Sequence, residues 1–281
     1  MKNQGPITPQ LRAWILATAR AGHGVPEVLK QLMDAGYAPA QSRVAVAEVL
    51  KIPLSSINAA APARTARPGG RRPRHPAAPL AEAGDRRVRV SLGVDAPPIR
   101  VLDSLLDAEE CAALIEQARP RLARARTVAV DGRQQVDERR TSDGMFFKLG
   151  ETPLVERIER RLATLLDMPV DHGEGLQVLH YLPGQEYEPH YDWFDPSQPG
   201  FAAITAKGGQ RVASVVIYLN TPEEGGGTGF PALGLTVTAL AGSAVYFAYE
   251  TGDEASLHAG LPVLRGEKWI ATKWLRERPF R

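Results

Sequence analysis

His190 and Asp192, separated by Tyr191, close the stretch LQVLHYLPGQEYEPHYDWFDP that runs from Leu176 to Pro196. On a β-strand, residues i and i+2 face the same side, so this imidazole and carboxylate can grip one cation while Tyr191 turns away. The apolar run Leu176, Val178, Leu179, Tyr181, Leu182, stopped by Pro183-Gly184, predicts such a strand. A lone His-x-Asp is equally a pair of surface polar residues, and its weight depends on partners elsewhere in the chain.

His258 comes 68 residues after His190, within Ser256-Leu257-His258-Ala259-Gly260, and Lys268 lies ten residues further on. Two imidazoles and one carboxylate on one face form the facial triad that holds non-haem Fe(II). It leaves three metal positions open, enough for a co-substrate and O₂ together. A buried Lys beyond the triad supplies a point charge for a carboxylate. Each residue alone has a plainer reading: a Lys on an edge strand faces water, and a His in a Gly-flanked turn is merely polar. The four in this order, on the right elements, resist that reading. His23, His75, His172 and His180 lack such a context, and no role is assigned to them.

The elements that must position these residues change character along the chain. Thr8-Pro9 predicts an N-cap followed by Pro at the first helical position, with Leu11, Trp14 and Ile15 on one face. Gly24 to Pro26 opens a second helix carrying Val28, Leu29, Leu32 and Met33, which Gly36 ends. A third starts near Pro39 and carries Val44, Ala47 and Val49. Residues 1–52 are thus expected to be a small helical appendage. Residues 53–95 are rich in Ala, Pro, Gly and Arg, offer little to bury, and predict a flexible linker. A third region, residues 96–281, is expected to carry the chemistry. There Asp107 to Glu110 reads as a capping box, and Thr152-Pro153 opens a helix with Val155, Ile158, Leu162 and Leu165 on one face. The polar stretch Val130 to Gly144 fits either a lid over a site or an ordinary surface loop. Short strands come next at Val212–Leu219, Leu235–Leu240, Ser243–Ala248, Leu261–Leu264 and Trp269–Leu275, broken by the glycine-rich turn Gly225–Gly229. Helices followed by many short strands predict an α+β fold, a barrel or sandwich with helices outside it.

Composition narrows the function classes. An apolar share of 43% suffices for a sizeable core, and 34 basic against 32 acidic residues argue for no highly charged partner. Eight arginines between Arg64 and Arg89 make the linker basic, but no aromatic residue is interleaved to stack on bases, so nucleic acid is not the expected partner. No apolar run is long enough for a membrane span, and MKNQGPITPQ has no signal-peptide core. The single cysteine, Cys111, excludes an intramolecular disulfide and fits a cytoplasmic location.

Four ordered blocks from Ile99 onward, YLPGQEYEPHYDWF, GGQRVASVVIYLN, GGGTGFP and LHAGLPVLRGEKWIATKW, resemble the 2-oxoglutarate and Fe(II)-dependent dioxygenases, in particular the prolyl 4-hydroxylase branch. The resemblance implies a double-stranded β-helix (jelly-roll) core with flanking helices. It implies Fe(II) on His190, Asp192 and His258, and 2-oxoglutarate on Lys268 with Tyr181 and Thr228 as hydroxyl partners. O₂ is then the second co-substrate and ascorbate a candidate reductant. The positions that face substrate match Tyr187, Arg211 and Trp274, and Arg140-Thr141-Ser142 matches the segment that closes over it. Gly227 stands where the family often has Glu, which puts the local loop contacts in question. A protein or peptide containing proline is the expected substrate. A free amino acid or small metabolite is an alternative, with Arg211 meeting its carboxylate. A non-catalytic jelly-roll binding module is a third and remote reading.

Overall fold

The computed structural model describes residues 8–21, 23–37, 39–52, 70–128, 134–136 and 139–281. It divides into two compact units, residues 1–68 and 69–281.

In the first unit, helices α1 (Pro9–Arg20), α2 (Val25–Asp34) and α3 (Pro39–Leu50) enclose Ile15, Val28, Leu32, Ala45, Val46 and Val49. The Thr8 side chain accepts from Leu11 N, satisfying one of the N–H groups that a helix start leaves unpaired. The third helix is phased differently from expectation. Val44 is half exposed and Ala45 and Val46 are buried, because the inward stripe is set by neighbours that the helix's own weak pattern does not reveal.

The second unit begins earlier than the sequence predicts. Strands β1 (Leu80–Glu82), β2 (Arg87–Asp95) and β3 (Pro98–Asp103) pair as an antiparallel meander, so the expected linker does not extend to residue 95. The alternation Val88, Val90, Leu92, Val94 carries this strand through a basic, polar-looking segment. Ahead of it the backbone is stitched down by Arg71 N to Glu277 O (2.9 Å) and Arg74 N to Leu166 O (2.7 Å). The arginines of this stretch meet acids of the same unit: Arg71 with Asp167, Arg72 with Glu250 and Arg86 with Asp107. The rest of the expected linker, residues 53–69, lies outside the described residues.

The remaining strands are β4 (Ala123–Arg124), β5 (Arg126–Val128), β6 (Gln134–Val136), β7 (Asp143–Phe146), β8 (Gln177–Tyr181), β9 (Tyr187–His190) and β10 (Arg211–Tyr218). They continue as β11 (Glu224–Gly225), β12 (Thr228–Phe230), β13 (Leu235–Val237), β14 (Ala244–Ala248), β15 (His258–Gly260), β16 (Val263–Arg265) and β17 (Lys268–Arg276). A nine-stranded sheet runs β1-β2-β3-β14-β10-β17-β8-β7-β4, and a four-stranded sheet runs β13-β12-β15-β9. Alternation sorts the side chains of β10. Ala213, Val215 and Ile217 join the core that includes Leu114, Val155, Ile158 and Leu162 of helices Ala108–Ala118 and Pro153–Leu166. Val216 and Tyr218 join a second core with Tyr181, Phe247 and Ile270 of the large sheet and Phe230 and Val237 of the small one. Two sheets sharing one core, with helices outside the larger, form the jelly roll.

The helix-covered core also buries charge. Arg161 is 1% exposed and bonds Asp85 at 2.8 and 2.6 Å, Glu110 at 2.8 Å twice, and Leu105 O at 2.7 Å. Every donor of that fork has a partner, which is the condition under which a buried guanidinium is tolerated. Cys111 lies in the same core, its thiol pushed up to about 11 chiefly by burial. Among the described residues no helix is long and apolar enough to cross a membrane.

Candidate metal centre and its cavity

β9 ends at His190, so Asp192 stands just past the strand rather than on it. The antiparallel register of β9 with β15 sets His190 directly opposite His258. The two rings are 4.2 Å apart, and Asp192 reaches between them, with Oδ1 3.8 Å from His190 Nε2 and Oδ2 3.5 Å from His258 Nε2. One ligand atom from each of the three lies within 4.8 Å of the others, close enough to share one ion. Each ring is fixed from behind: His190 Nδ1 donates to Glu188 O at 2.8 Å and His258 Nδ1 to Ser256 O at 3.1 Å. That tautomer leaves both Nε2 lone pairs facing the cation position.

The electrostatics suit a cation. Burial holds the His190 imidazole well below its usual range, and the neighbouring His258 adds to this, so the ring is neutral and able to ligate. Burial alone would raise Asp192, but His258 and His190 where protonated, Arg211 and the Ser214 hydroxyl outweigh it and bring the carboxyl down to about 2. Ser214 Oγ donates to Asp192 Oδ2 at 2.5 Å and in turn meets Tyr249 OH at 3.0 Å.

Lys268 opens β17 opposite Tyr181 of β8 and is 1% exposed. Its ammonium lies 4.8 Å from the Tyr181 ring centroid, no acid pairs with it among the described residues, and burial pushes it down to about 7. A buried cation without a counter-ion is costly, and a ligand carboxylate would relieve it. Nearby, Tyr218 OH donates to Thr228 Oγ1 at 2.7 Å, which leaves the Thr228 proton free to donate elsewhere. An unpaired ammonium, a hydroxyl donor and three cation ligands fit a chelating dicarboxylate bound beside a metal.

Nine of the ten residues singled out in the sequence line this one cavity: Arg140, Tyr181, Tyr187, His190, Asp192, Thr228, His258, Lys268 and Trp274. Arg211 does not. It forms a two-pronged bond to Glu174 at 2.7 and 2.9 Å, stacks on Trp274 at 4.0 Å, and sits 3.9 Å from Asp192 Oδ1. Two of its donors are thus spent on Glu174, a carboxylate that it shares with Arg276, and it stands behind Asp192 outside the cavity lining. Tyr187 stacks on His190 at 3.6 Å, and Arg140 lies over the other side of the Tyr187 ring at 4.6 Å. Residues 139–142 run alongside β9, with Thr141 N bonded to Glu186 O at 3.1 Å and Arg140 bridged to Tyr187. Of the expected lid, residues 130–133 and 137–138 lie outside the described residues. The glycine that replaces the family's Glu reflects a close approach, since a Cβ on Gly227 would lie 2.8 Å from Val237 O. Glu174, Ser214, Tyr218 and Tyr249 were not singled out in the sequence. A polar residue within an apolar run, as Ser214 is in β10, is the one signal that pointed to any of them.

A sequence profile of the 2OG-Fe(II) oxygenase superfamily matches residues 176–276. The Arabidopsis thaliana protein named Probable prolyl 4-hydroxylase 3 is 40% identical over 203 residues, 64% of this chain and 69% of its own length. Prolyl 4-hydroxylase 5 of the same plant is 37% identical over 209 residues, 66% of this chain and 70% of its own length. Among solved structures, the viral collagen prolyl hydroxylase of Paramecium bursaria Chlorella virus-1, in its 2-oxoglutarate complex, superimposes with a TM-score of 0.50. It shares 30% identity over 63% of this chain and 95% of that one. This chain belongs to the prolyl 4-hydroxylase family of 2-oxoglutarate and Fe(II)-dependent oxygenases.

Proposed function

We propose that the protein hydroxylates a prolyl residue of a protein or peptide, using Fe(II), 2-oxoglutarate and O₂, with ascorbate as the external reductant. The observation that carries this reading is the pairing, in one cavity, of a three-ligand cation site with the unpaired buried ammonium of Lys268. When bound, iron and 2-oxoglutarate would let O₂ be split, one oxygen atom entering the C–H bond and the other the succinate that 2-oxoglutarate yields with CO₂. The chain's own residues do the positioning. His190, Asp192 and His258 hold the metal from one side and leave the opposite side open. Lys268 neutralises the far carboxylate of 2-oxoglutarate, and Thr228, oriented by Tyr218, donates to it. Trp274 offers an indole N–H that is buried without an acceptor, a donor for a carbonyl of the substrate chain. Tyr187 and Arg140 also line the cavity, stacked in turn on His190.

The same iron centre could serve a free amino acid, but Arg211, the cation that reading requires, does not line the cavity and is paired with Glu174, which weighs against it. The test is turnover with proline-containing peptides and with free proline in parallel. Succinate formation coupled to gain of one oxygen by the peptide is the expected result. Turnover of free proline alone would overturn the peptide assignment.

A further inference from the structure

Asp192 is held from behind by hydroxyls rather than by backbone amides. As a cation ligand its carboxylate is ionised and can only accept hydrogen bonds. The contact from Ser214 Oγ to Oδ2, at 2.5 Å, therefore uses the serine's only proton. The second contact of Ser214, 3.0 Å to Tyr249 OH, is left with one direction, Tyr249 donating. All three side chains are buried: Ser214 is 0%, Tyr249 4% and Asp192 7% exposed. Bulk water is kept from these protons, and each group has a defined place in a series Tyr249 → Ser214 → Asp192.

The two carboxylate oxygens are thereby made unequal. Oδ2 receives the short serine bond, whereas Oδ1 accepts no hydrogen bond among the described residues: its neighbours, His190 Nε2 at 3.8 Å and the Arg211 guanidinium at 3.9 Å, both lie beyond hydrogen-bond distance. We infer that Ser214 and Tyr249 are positioning residues that lock Asp192 so that it ligates through Oδ1 alone. The inference rests on the reading of His190, Asp192 and His258 as a metal site. Its functional consequence is specific. A carboxylate free to rotate can bind a cation through both oxygens and occupy a fourth position, which the reaction needs for co-substrate or O₂. The serine bond to Oδ2 opposes that rotation and disfavours the second contact. Partners behind a metal ligand commonly set affinity as well as geometry, by about 10–100-fold when removed.

The arrangement of the two hydroxyls in series makes the test sharp. Metal affinity of the full chain is measured by titrating the metal-free protein with Co²⁺, following both binding heat and the visible absorption of the bound ion, whose intensity reports coordination number. Ser214→Ala is expected to weaken binding about tenfold or more and to change the Co²⁺ spectrum. Tyr249→Phe, which leaves the serine proton on Asp192, is expected to weaken it only a few-fold. The double variant should bind no worse than Ser214→Ala, because Tyr249 acts only through Ser214. Ser214→Thr keeps the hydroxyl and should restore the wild-type spectrum. Full additivity of the two single effects, or a Ser214→Ala spectrum and affinity equal to wild type, overturns the relay. Asp192→Ala separates the two levels: if it binds Co²⁺ like wild type, the metal-site reading itself is wrong. If wild type binds, Asp192→Ala does not, and Ser214→Ala is unchanged, only the relay is wrong.

Discussion

Removing the Lys268 ammonium is the perturbation that most directly interrogates the cavity. Lys268 is 1% exposed, so water cannot take its place beside a bound carboxylate. Truncating one member of a buried, hydrogen-bonded charge pair costs about 2–5 kcal/mol. At about 1.4 kcal/mol per tenfold, Lys268→Met should weaken 2-oxoglutarate binding from roughly 30-fold to several thousandfold. The KM for 2-oxoglutarate should rise accordingly, with kcat at saturation changing far less, since Lys268 holds the end of the molecule remote from the metal. Succinate formation at saturating peptide gives KM and kcat, and anaerobic calorimetry gives Kd. The pH dependence supplies a second readout. In the ligand-free protein burial brings this lysine down to about 7 from its ordinary 10.5. Only the ammonium form attracts the carboxylate, so affinity is full below pH 7 and falls by up to about tenfold per pH unit above it. Stability of the ligand-free protein runs the other way. Between pH 7 and 10.5 the unfolded chain holds the proton that the folded one has lost, so stability rises with pH in that window. Lys268→Met should lose both dependences. A KM within about threefold of wild type, with the same pH profile, would refute Lys268 as the carboxylate anchor.

Two further outcomes test the scaffold. Arg161→Met takes the buried guanidinium from both Asp85 and Glu110, leaving Glu110 only Arg157 and Arg86, and should destabilise the protein by up to about 3–5 kcal/mol, read from the denaturant midpoint. Burial opposes ionisation of Glu110, but the Arg161 fork outweighs it and lowers the group below 4.5, so wild type should lose this contribution as pH falls below that value and the variant should not. Gly227→Ala drives a Cβ to 2.8 Å from Val237 O, and should cost about 1–3 kcal/mol and raise the KM for 2-oxoglutarate by displacing Thr228. Thermal melts with and without 2-oxoglutarate check both effects.

The parts of this structure that were legible in the sequence are those with a periodic or motif signal. Thr152 caps its helix and Asp107 closes its box as their spacing says, because a cap is a local match between a side chain and the next turn. The strands β8, β10 and β17 announce themselves as apolar runs because both faces are covered. The cation ligands were legible through the order of four residues. Asp192 leaves the strand and still converges with His190, so the i, i+2 spacing marks the right pair although the chain does not use that strand geometry. What stayed hidden is what depends on distant partners. Arg211 has the same sequence context whether it faces substrate or Glu174, and only the fold brings Glu174, 37 residues away, beneath it. Strand β2 was obscured because its four alternating apolar residues lie in a span dominated by arginine and proline.

The register that sets His190 against His258 also governs how this protein can diverge. Ladder register fixes which faces the three ligands show, and a one-residue slip in β9 would turn His190 away from the cation. By contrast, the turn at residues 195–200 contributes no ligand and carries mostly local hydrogen bonds. Insertions there leave the ladder untouched. The ligand ladder is thus insulated from length changes in that turn.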